Sequence, residues 1–259
     1  MYRIGIDLGG TNIAVGLVDE NYKIVVKKTT PTLAKRESEA IVADMARLCL
    51  EVCADQNVDI KDIANIGIAT PGIANPVNGC VEYTNNLPFR RFPIVDILAN
   101  DLGIDRSVVK IANDANAAAW GEAVAGAAKG SRFSVMITLG TGVGGGIIID
   151  GKIYSGSNGA GGELGHTVIS MDGEMCTCGR QGCWEAYASA TALVNQTKAA
   201  MLEHKDSKMW DLCDGNIENA GGRTAFDGMR AGDKYAKEVC DNYIYYIAVG
   251  TANVINAFQ

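Results

Sequence analysis

No part of this sequence concentrates positive charge. Its 23 lysines and arginines are scattered among 30 acidic residues, for a net charge of −7. Gripping a nucleic-acid backbone takes a basic patch, so nucleic acid is not an expected partner; a neutral or small anionic ligand fits better. No run of about 18 apolar residues occurs, so no membrane span is expected. Arg3 and Asp7 interrupt the only N-terminal apolar stretch. No secretory leader is expected, and the expected location is cytoplasmic. There is no G-x-x-x-x-G-K-[ST] and no G-x-G-x-x-G behind a strand with an acid about 20 residues on, so neither a Walker loop nor a dinucleotide fingerprint is present. The eight cysteines do not suggest a disulfide framework, which belongs to short secreted chains.

What is present is 259 residues with 47% hydrophobic content, enough for one large domain or two ordinary ones. Residues 2–8 alternate apolar and polar and break at Gly9-Gly10. Two further strand candidates, 13–20 and 22–30, make a three-stranded meander. Residues 38–56 carry apolar positions at helical spacing without glycine or proline, with Cys49 and Cys53 as ordinary core residues. A buried strand over 63–70 ends at Pro71-Gly72, and residues 75–79 and 85–89 are turn and loop chemistry. A short helix over 92–103 closes on Gly103, and 107–112 is a strand. The pattern then restarts: a helix over 113–128, a strand over 132–140, a turn with two strands over 142–154, an aperiodic glycine-rich segment over 156–183, and helices over 185–203 and 233–258. Strand, glycine turn, strand, strand and helix thus occur in that order twice. The expected architecture is two similar α/β domains, 1–112 and 113–259, facing each other across a cleft.

Each half runs a strand into a turn of glycine and threonine: Asp7, Leu8, Gly9, Gly10, Thr11, Asn12 in one, Gly140, Thr141, Gly142 in the other. Such turns aim backbone N–H groups at one place and bind phosphate oxygens. Asp7 would repel phosphate unless a cation lies between them, and Mg²⁺ binds carboxylates and phosphates together. A plain pair of hairpin turns is the alternative for either turn alone; two matched turns favour a phosphate clamp.

His166, Cys176, Cys178 and Cys183 have the spacing H-x9-C-x-C-x4-C. Cys₃His is a structural zinc set, and Gly179 and Gly182 let the chain wrap a metal. Reduced thiols in a loop, or a disulfide, are the alternatives. Glu163 and Glu185 flank this loop, and a closed metal site would fix both; a metal-bound histidine keeps its other ring nitrogen for a second partner. Asn113-Asp114 stands between a strand and an alanine-rich helix. One of the two is an N-cap. A carboxylate there is also held ionised by the helix N-terminus and can accept a proton from a bound hydroxyl.

The stretches DLGGTN, GIATPG, NDANAAAWGE, LGTGVGGG, GGELGH and CTCGRQGCWEAYAS, in this order over residues 7–189, resemble the ROK family of sugar kinases. CTCGRQGCWE is most similar to the form in the family's bacterial glucokinases. The resemblance implies an actin-like ATPase (ribonuclease H-like) α/β fold and ATP-dependent phosphorylation of a hexose, glucose first, at the C6 hydroxyl. It implies Asp114 as general base, with Gly72, Asn85 (or its neighbour Asn86), Asn113, Glu163, His166 and Glu185 around the sugar. Asp7 would face Mg²⁺, and Gly9, Gly10, Thr11, Asn12, Gly140, Thr141 and Gly142 the nucleotide phosphates. Zinc would sit on His166, Cys176, Cys178 and Cys183, and the chain would form a homodimer. An N-acetylhexosamine kinase, a polyphosphate donor and a sugar-sensing regulator lacking its DNA-binding domain are the alternatives within the family. The family's kinases continue beyond the position matching Gln259 into an adenosine-contacting segment, so a C-terminal portion is expected to be missing here, leaving an exposed apolar surface.

Overall fold

The computed structural model describes residues 1–157 and 159–258; Asn158 in the glycine-rich segment and Gln259, the expected point of truncation, lie outside the described residues. The chain divides into two compact units, Met1–Ser134 with Gly146–Gly161, and Val135–Gly145 with Gly162–Gln259.

The first unit begins with β1 (Arg3–Leu8), β2 (Asn12–Val18), β3 (Ile24–Pro31), α1 (Ser38–Ala54) and β4 (Ile66–Thr70). β5 (Ile73–Asn75), β6 (Cys80–Tyr83), β7 (Arg90–Phe92), α2 (Ile94–Leu102), β8 (Val109–Asn113) and α3 (Asp114–Ala125) follow. The five-stranded sheet has the order β3-β2-β1-β4-β8. The meander is antiparallel, whereas β1, β4 and β8 run parallel. Alternation in β1 decides which face is core: Ile4, Ile6 and Leu8 are buried, and Gly5 and Asp7 point to the exposed face. Those isoleucines pack against Ile41, Val42, Met45 and Leu48 of α1 and Ile94, Val95 and Leu98 of α2 in one cluster. Each fully buried aliphatic side chain there contributes about 1.5–3 kcal/mol.

β5, β6 and β7 form a separate three-stranded sheet that periodicity did not reveal. Their three or four residues are too short to alternate visibly, and the turn signals at 75–79 and 85–89 are the connections between them. α1 and β4 are also shorter than the sequence suggests: α1 stops at Ala54, and Ile60–Asp62 forms a 3₁₀ turn before β4 begins at Ile66.

β9 (Ser134–Leu139), β10 (Val143–Ile149) and β11 (Lys152–Ile153) form a sheet of order β11-β10-β9. The chain crosses from the second unit into the first at Gly145–Gly146, inside β10. Gly144, Gly145 and Gly146 therefore belong to a strand and not to the turn ahead of it. A Cβ on Gly146 would sit 2.4 Å from the Ala119 Cβ of α3, so close packing of strand on helix requires glycine.

Beyond the irregular segment over 162–184, the second unit is mainly helical: α4 (Glu185–Ala188), α5 (Ala190–Glu203), α6 (Thr224–Arg230) and α7 (Lys234–Phe258). The helix expected over 185–203 is broken at Ser189, whose backbone is extended and whose Oγ accepts the Ala192 N–H at 3.0 Å, so Ser189 caps α5. α7 buries Val239, Cys240 and Tyr243 against Leu193, Met201, Met209 and Ala225. Tyr243 is core, Tyr246 and Ile247 are half-buried, and Ile244, Tyr245, Ile255 and Phe258 are exposed. Among the described residues no helix is long and apolar enough to cross a membrane.

Candidate functional site

In open α/β sheets, ligands bind beyond the carboxyl ends of the parallel strands. Three sequence-predicted residues of the first unit stand at those ends: Asp7 on β1, Gly72 just past β4, and Asn113 on β8. Asp7 pairs with Ala69 and Ala69 with Ala112, so Asp7 and the β8 terminus are two strand spacings apart, about 10 Å.

Asn113 is the N-cap of α3. Its Oδ1 accepts the N–H groups of Ala115 at 3.0 Å and Asn116 at 3.2 Å, and its Nδ2 donates to the Gly72 carbonyl at 3.1 Å. Gly72 has φ +79°, and a Cβ there would lie 2.2 Å from the Tyr83 carbonyl oxygen, so no other residue fits. With Asn113 as cap, Asp114 becomes the first helical residue, its Oδ1 accepting the Ala115 N–H at 2.8 Å. Asp114 is exposed, but it stands against one wall of a cavity of about 730 Å³ shared with Asp7, Ala117 and Trp120. Contrary to the expectation that the helix N-terminus holds it ionised, that one-sided burial outweighs the helix and is the largest cause raising its carboxyl above the ordinary aspartate range. The negative charge of Asp7 adds to it, while the Ala115 N–H opposes it.

The first glycine turn is closed by Gly9 N–H donating to the Asn12 carbonyl at 3.0 Å, leaving Gly10, Thr11 and Asn12 exposed at its tip. Thr32, fully buried, pins the turn: its Oγ1 donates to the Gly9 carbonyl at 2.6 Å and its N–H to the Thr11 carbonyl at 2.8 Å. Nothing in the sequence marks Thr32, a threonine at the end of a strand. Asn85 and Asn86 are both exposed in the β6–β7 loop, and it is Asn86 whose Cβ lies beside Gly10.

In the second unit, Gly140 N–H donates to the Gly142 carbonyl at 3.0 Å. The α5 N-terminus holds this turn through Ala190 N–H to Gly140 at 2.8 Å and Thr191 Oγ1 to Thr141 at 2.8 Å. Thr191 is a second pinning residue that sequence reading missed. Glu185 connects the turn to the cysteine loop. Its Oε2 accepts the Val143 N–H at 3.0 Å, and its Oε1 lies 3.2 Å from Thr177 Oγ1 and 3.7 Å from Cys176 Sγ. Thr141, Thr177, Glu185, Asn195, Gln196 and Tyr246 border one cavity of about 520 Å³. Glu163 lies just before the 3₁₀ turn that carries His166.

His166, Cys176, Cys178 and Cys183 are brought together, with their ligand atoms all within 4.8 Å of one another. His166 Nδ1 is 3.6 Å from Cys176 Sγ, and Cys178 Sγ is 3.7 Å from Cys183 Sγ. A tetrahedron with metal–sulfur bonds of about 2.3 Å has edges of about 3.8 Å, so four donors so placed suit a tetrahedral cation. Gly179 and Gly182 take positive φ values of 85° and 78° as the loop folds back. The Arg180 N–H lowers the Cys178 thiol, while burial, then the neighbouring thiols, push Cys183 up to about 12. A coordinated divalent cation reverses that balance and holds the thiols deprotonated. Trp184, fully buried, anchors the loop through Nε1–H to the Tyr246 carbonyl at 2.8 Å.

Residues 3–259 match the ROK family. A glucokinase of Thermotoga maritima is 38% identical over 257 residues, covering 99% of this chain and 78% of that protein. A glucokinase of Halalkalibacterium halodurans is 35% identical over 260 residues, covering 100% and 77%. Among solved structures, a ROK glucokinase from Streptomyces griseus in complex with glucose and AMPPNP superposes with a TM-score of 0.83 at 33% identity, covering 100% of this chain and 80% of that one. The chain belongs to the ROK family, and its α/β architecture is the actin-like ATPase fold of that family's glucokinases.

Proposed function

We propose that this protein is a sugar kinase that transfers the γ-phosphoryl group of ATP to the C6 hydroxyl of a hexose, with glucose as preferred acceptor. The observation that carries the reading is Asp114: a carboxylate at a helix N-terminus, beyond the carboxyl ends of parallel strands, with its pKa raised toward working pH. Asp114 takes the proton of the attacking hydroxyl. Asn113, the Gly72 carbonyl and Asn85 position the sugar, as do Glu163, His166 and Glu185. His166 turns Nδ1 toward the cysteines, which leaves Nε2 for a hydroxyl. Gly9, Gly10, Thr11, Asn12, Gly140, Thr141 and Gly142 offer donors to the phosphates, and Asp7 would hold Mg²⁺, whose positive charge would offset the negative charge on the transferring phosphoryl group. His166, Cys176, Cys178 and Cys183 hold zinc as a structural ion: with four protein ligands no position is open for water. Three thiolate ligands suit the reducing cytoplasm. Tyr245, Ile244 and Ile255 of α7 provide an exposed apolar face for a homodimer, tested by mass measurement in solution.

An assay of ADP release across glucose, mannose, fructose, N-acetylglucosamine and N-acetylmannosamine tests the reading. Highest turnover on glucose is expected. Faster turnover on an N-acetylated sugar would replace the substrate, and hexose binding without any turnover would favour a sugar-sensing role.

A further inference from the structure

Thr177 sits between two of the four clustered donors, Cys176 and Cys178, and donates no ligand itself. It is exposed, and its Oγ1 lies 3.2 Å from Glu185 Oε1. The other oxygen of that carboxylate, Oε2, is held by the Val143 N–H at 3.0 Å. Cys176 Sγ is 3.7 Å from Oε1, but a metal-bound thiolate has no proton to donate. With the cysteines ligated, the Thr177 hydroxyl is therefore the side-chain donor that fixes Oε1 among the described residues. Thr177 and Glu185 also border the same cavity of about 520 Å³, so the carboxylate is fixed at a ligand-accessible wall.

We propose that Thr177 is a positioning and specificity residue: its hydroxyl, on a backbone fixed by the two flanking cysteines, sets the orientation in which Glu185 meets a sugar hydroxyl. This rests on the reading of Glu185 as a sugar-binding carboxylate. A carboxylate clamped at both oxygens presents its remaining lone pairs in one direction. It therefore discriminates between epimers by the direction of a single hydroxyl. Freed at Oε1, the same carboxylate swings, still binds, and discriminates less. The physical basis is that a hydrogen bond to a charged group is stronger than one between neutral groups and directional as well.

The test uses the zinc-loaded 259-residue chain as wild type, Thr177→Val, Thr177→Ala and Thr177→Ser. Binding of glucose, a set of monodeoxyglucoses and AMPPNP is measured by calorimetry, and zinc by elemental analysis. Thr177→Val and Thr177→Ala are expected to weaken glucose binding about tenfold, the scale of one lost hydrogen bond to a charged group. In both, the penalty for one particular deoxy analogue should shrink, with zinc content and AMPPNP affinity unchanged. Thr177→Ser should restore glucose affinity and the deoxy penalty. Unchanged glucose affinity in both variants overturns the inference. So does a uniform loss that leaves every deoxy penalty intact, a failure of serine to rescue, or loss of zinc from both variants, since each makes Thr177 only a loop-shaping residue. If the wild type binds no hexose, the sugar-kinase reading fails and this inference with it; if it binds hexose and Thr177→Val matches it, this inference fails alone.

Discussion

Asn113 Nδ2 donates to the carbonyl of Gly72 across 3.1 Å, tying the end of β8 to the bend that follows β4. Gly72 holds that carbonyl from a positive φ, in a place where a Cβ would come within 2.2 Å of the Tyr83 backbone oxygen. Gly72→Ala should therefore destabilise the first unit by about 1–3 kcal/mol through backbone strain, and displace the carbonyl that Asn113 grips. Urea denaturation checks the first effect. The second predicts a raised KM for hexose, and a stable Gly72→Ala protein with normal KM would show that this bend does not position the acceptor.

The cysteine loop gives a metal-dependent outcome. Protein purified without chelator should carry a single zinc, and Cys178→Ser or prolonged chelation should remove it. Because Trp184 and Glu185 follow directly on Cys183, loosening the loop should lower the thermal midpoint and weaken hexose binding more than nucleotide binding. Elemental analysis that finds no metal in freshly purified, active protein counts decisively against the site.

Asp233 is the electrostatic anchor of the helical part of the second unit. Its Oδ2 accepts Ser207 Oγ–H and Lys208 N–H, each at 2.6 Å, and its Oδ1 accepts Tyr235 N–H at 2.8 Å and Ala236 N–H at 3.1 Å. Burial alone would raise this carboxyl, but the four hydrogen bonds outweigh it and hold it below the ordinary aspartate range. A native pKa below the unfolded one means that Asp233 adds stability above the unfolded value, near 3.9, and loses it as pH falls through the lowered native value. Asp233→Ala should cost about 1–2 kcal/mol at neutral pH, the upper range for a lost cap. It should also flatten the acid limb of the stability curve below about pH 4. Parallel acid limbs in the two proteins would show that the carboxyl is not tuned by its contacts.

Much of this was legible in the sequence, for identifiable reasons. The β1–β2–β3 meander and α1 follow from long, regular periodicity, and the cation cluster from ligand types at loop spacing. The two glycine turns follow from residues that only turns use so densely. What stayed hidden depended on tertiary contact. β5, β6 and β7 are too short to show a period. Ser189 breaks a continuous helical pattern because its hydroxyl caps the next helix. Gly145 and Gly146 resemble a turn but are glycine because a Cβ on either would come within 2.6 Å of an atom packed against β10. Thr32 and Thr191 pin the turns from residues 21 and 50 positions away, by hydrogen bonds that no local pattern announces.

Asp114 joins the stability and activity of the protein. Its carboxyl is raised by burial first and by the charge of Asp7 second. For an acid whose native pKa lies above its unfolded value, ionisation is disfavoured in the fold; the resulting penalty is fully present above the native pKa and is relieved as pH falls below the unfolded value. Asp114→Asn removes the charge while keeping the shape and the cap from Asn113, so at neutral pH it should leave the thermal midpoint equal or higher. The amide cannot accept a proton, so turnover should fall by about 10²–10⁴-fold, the usual worth of a general base. Hexose binding should survive. In the wild type, kcat/KM should decline on the acid side at a pH above the ordinary aspartate range, as the raised carboxyl protonates, and that limb should be missing from the residual activity of the variant. Near-normal kcat in Asp114→Asn would reduce Asp114 to the first residue of a helix and leave Asp7 as the carboxylate to examine next.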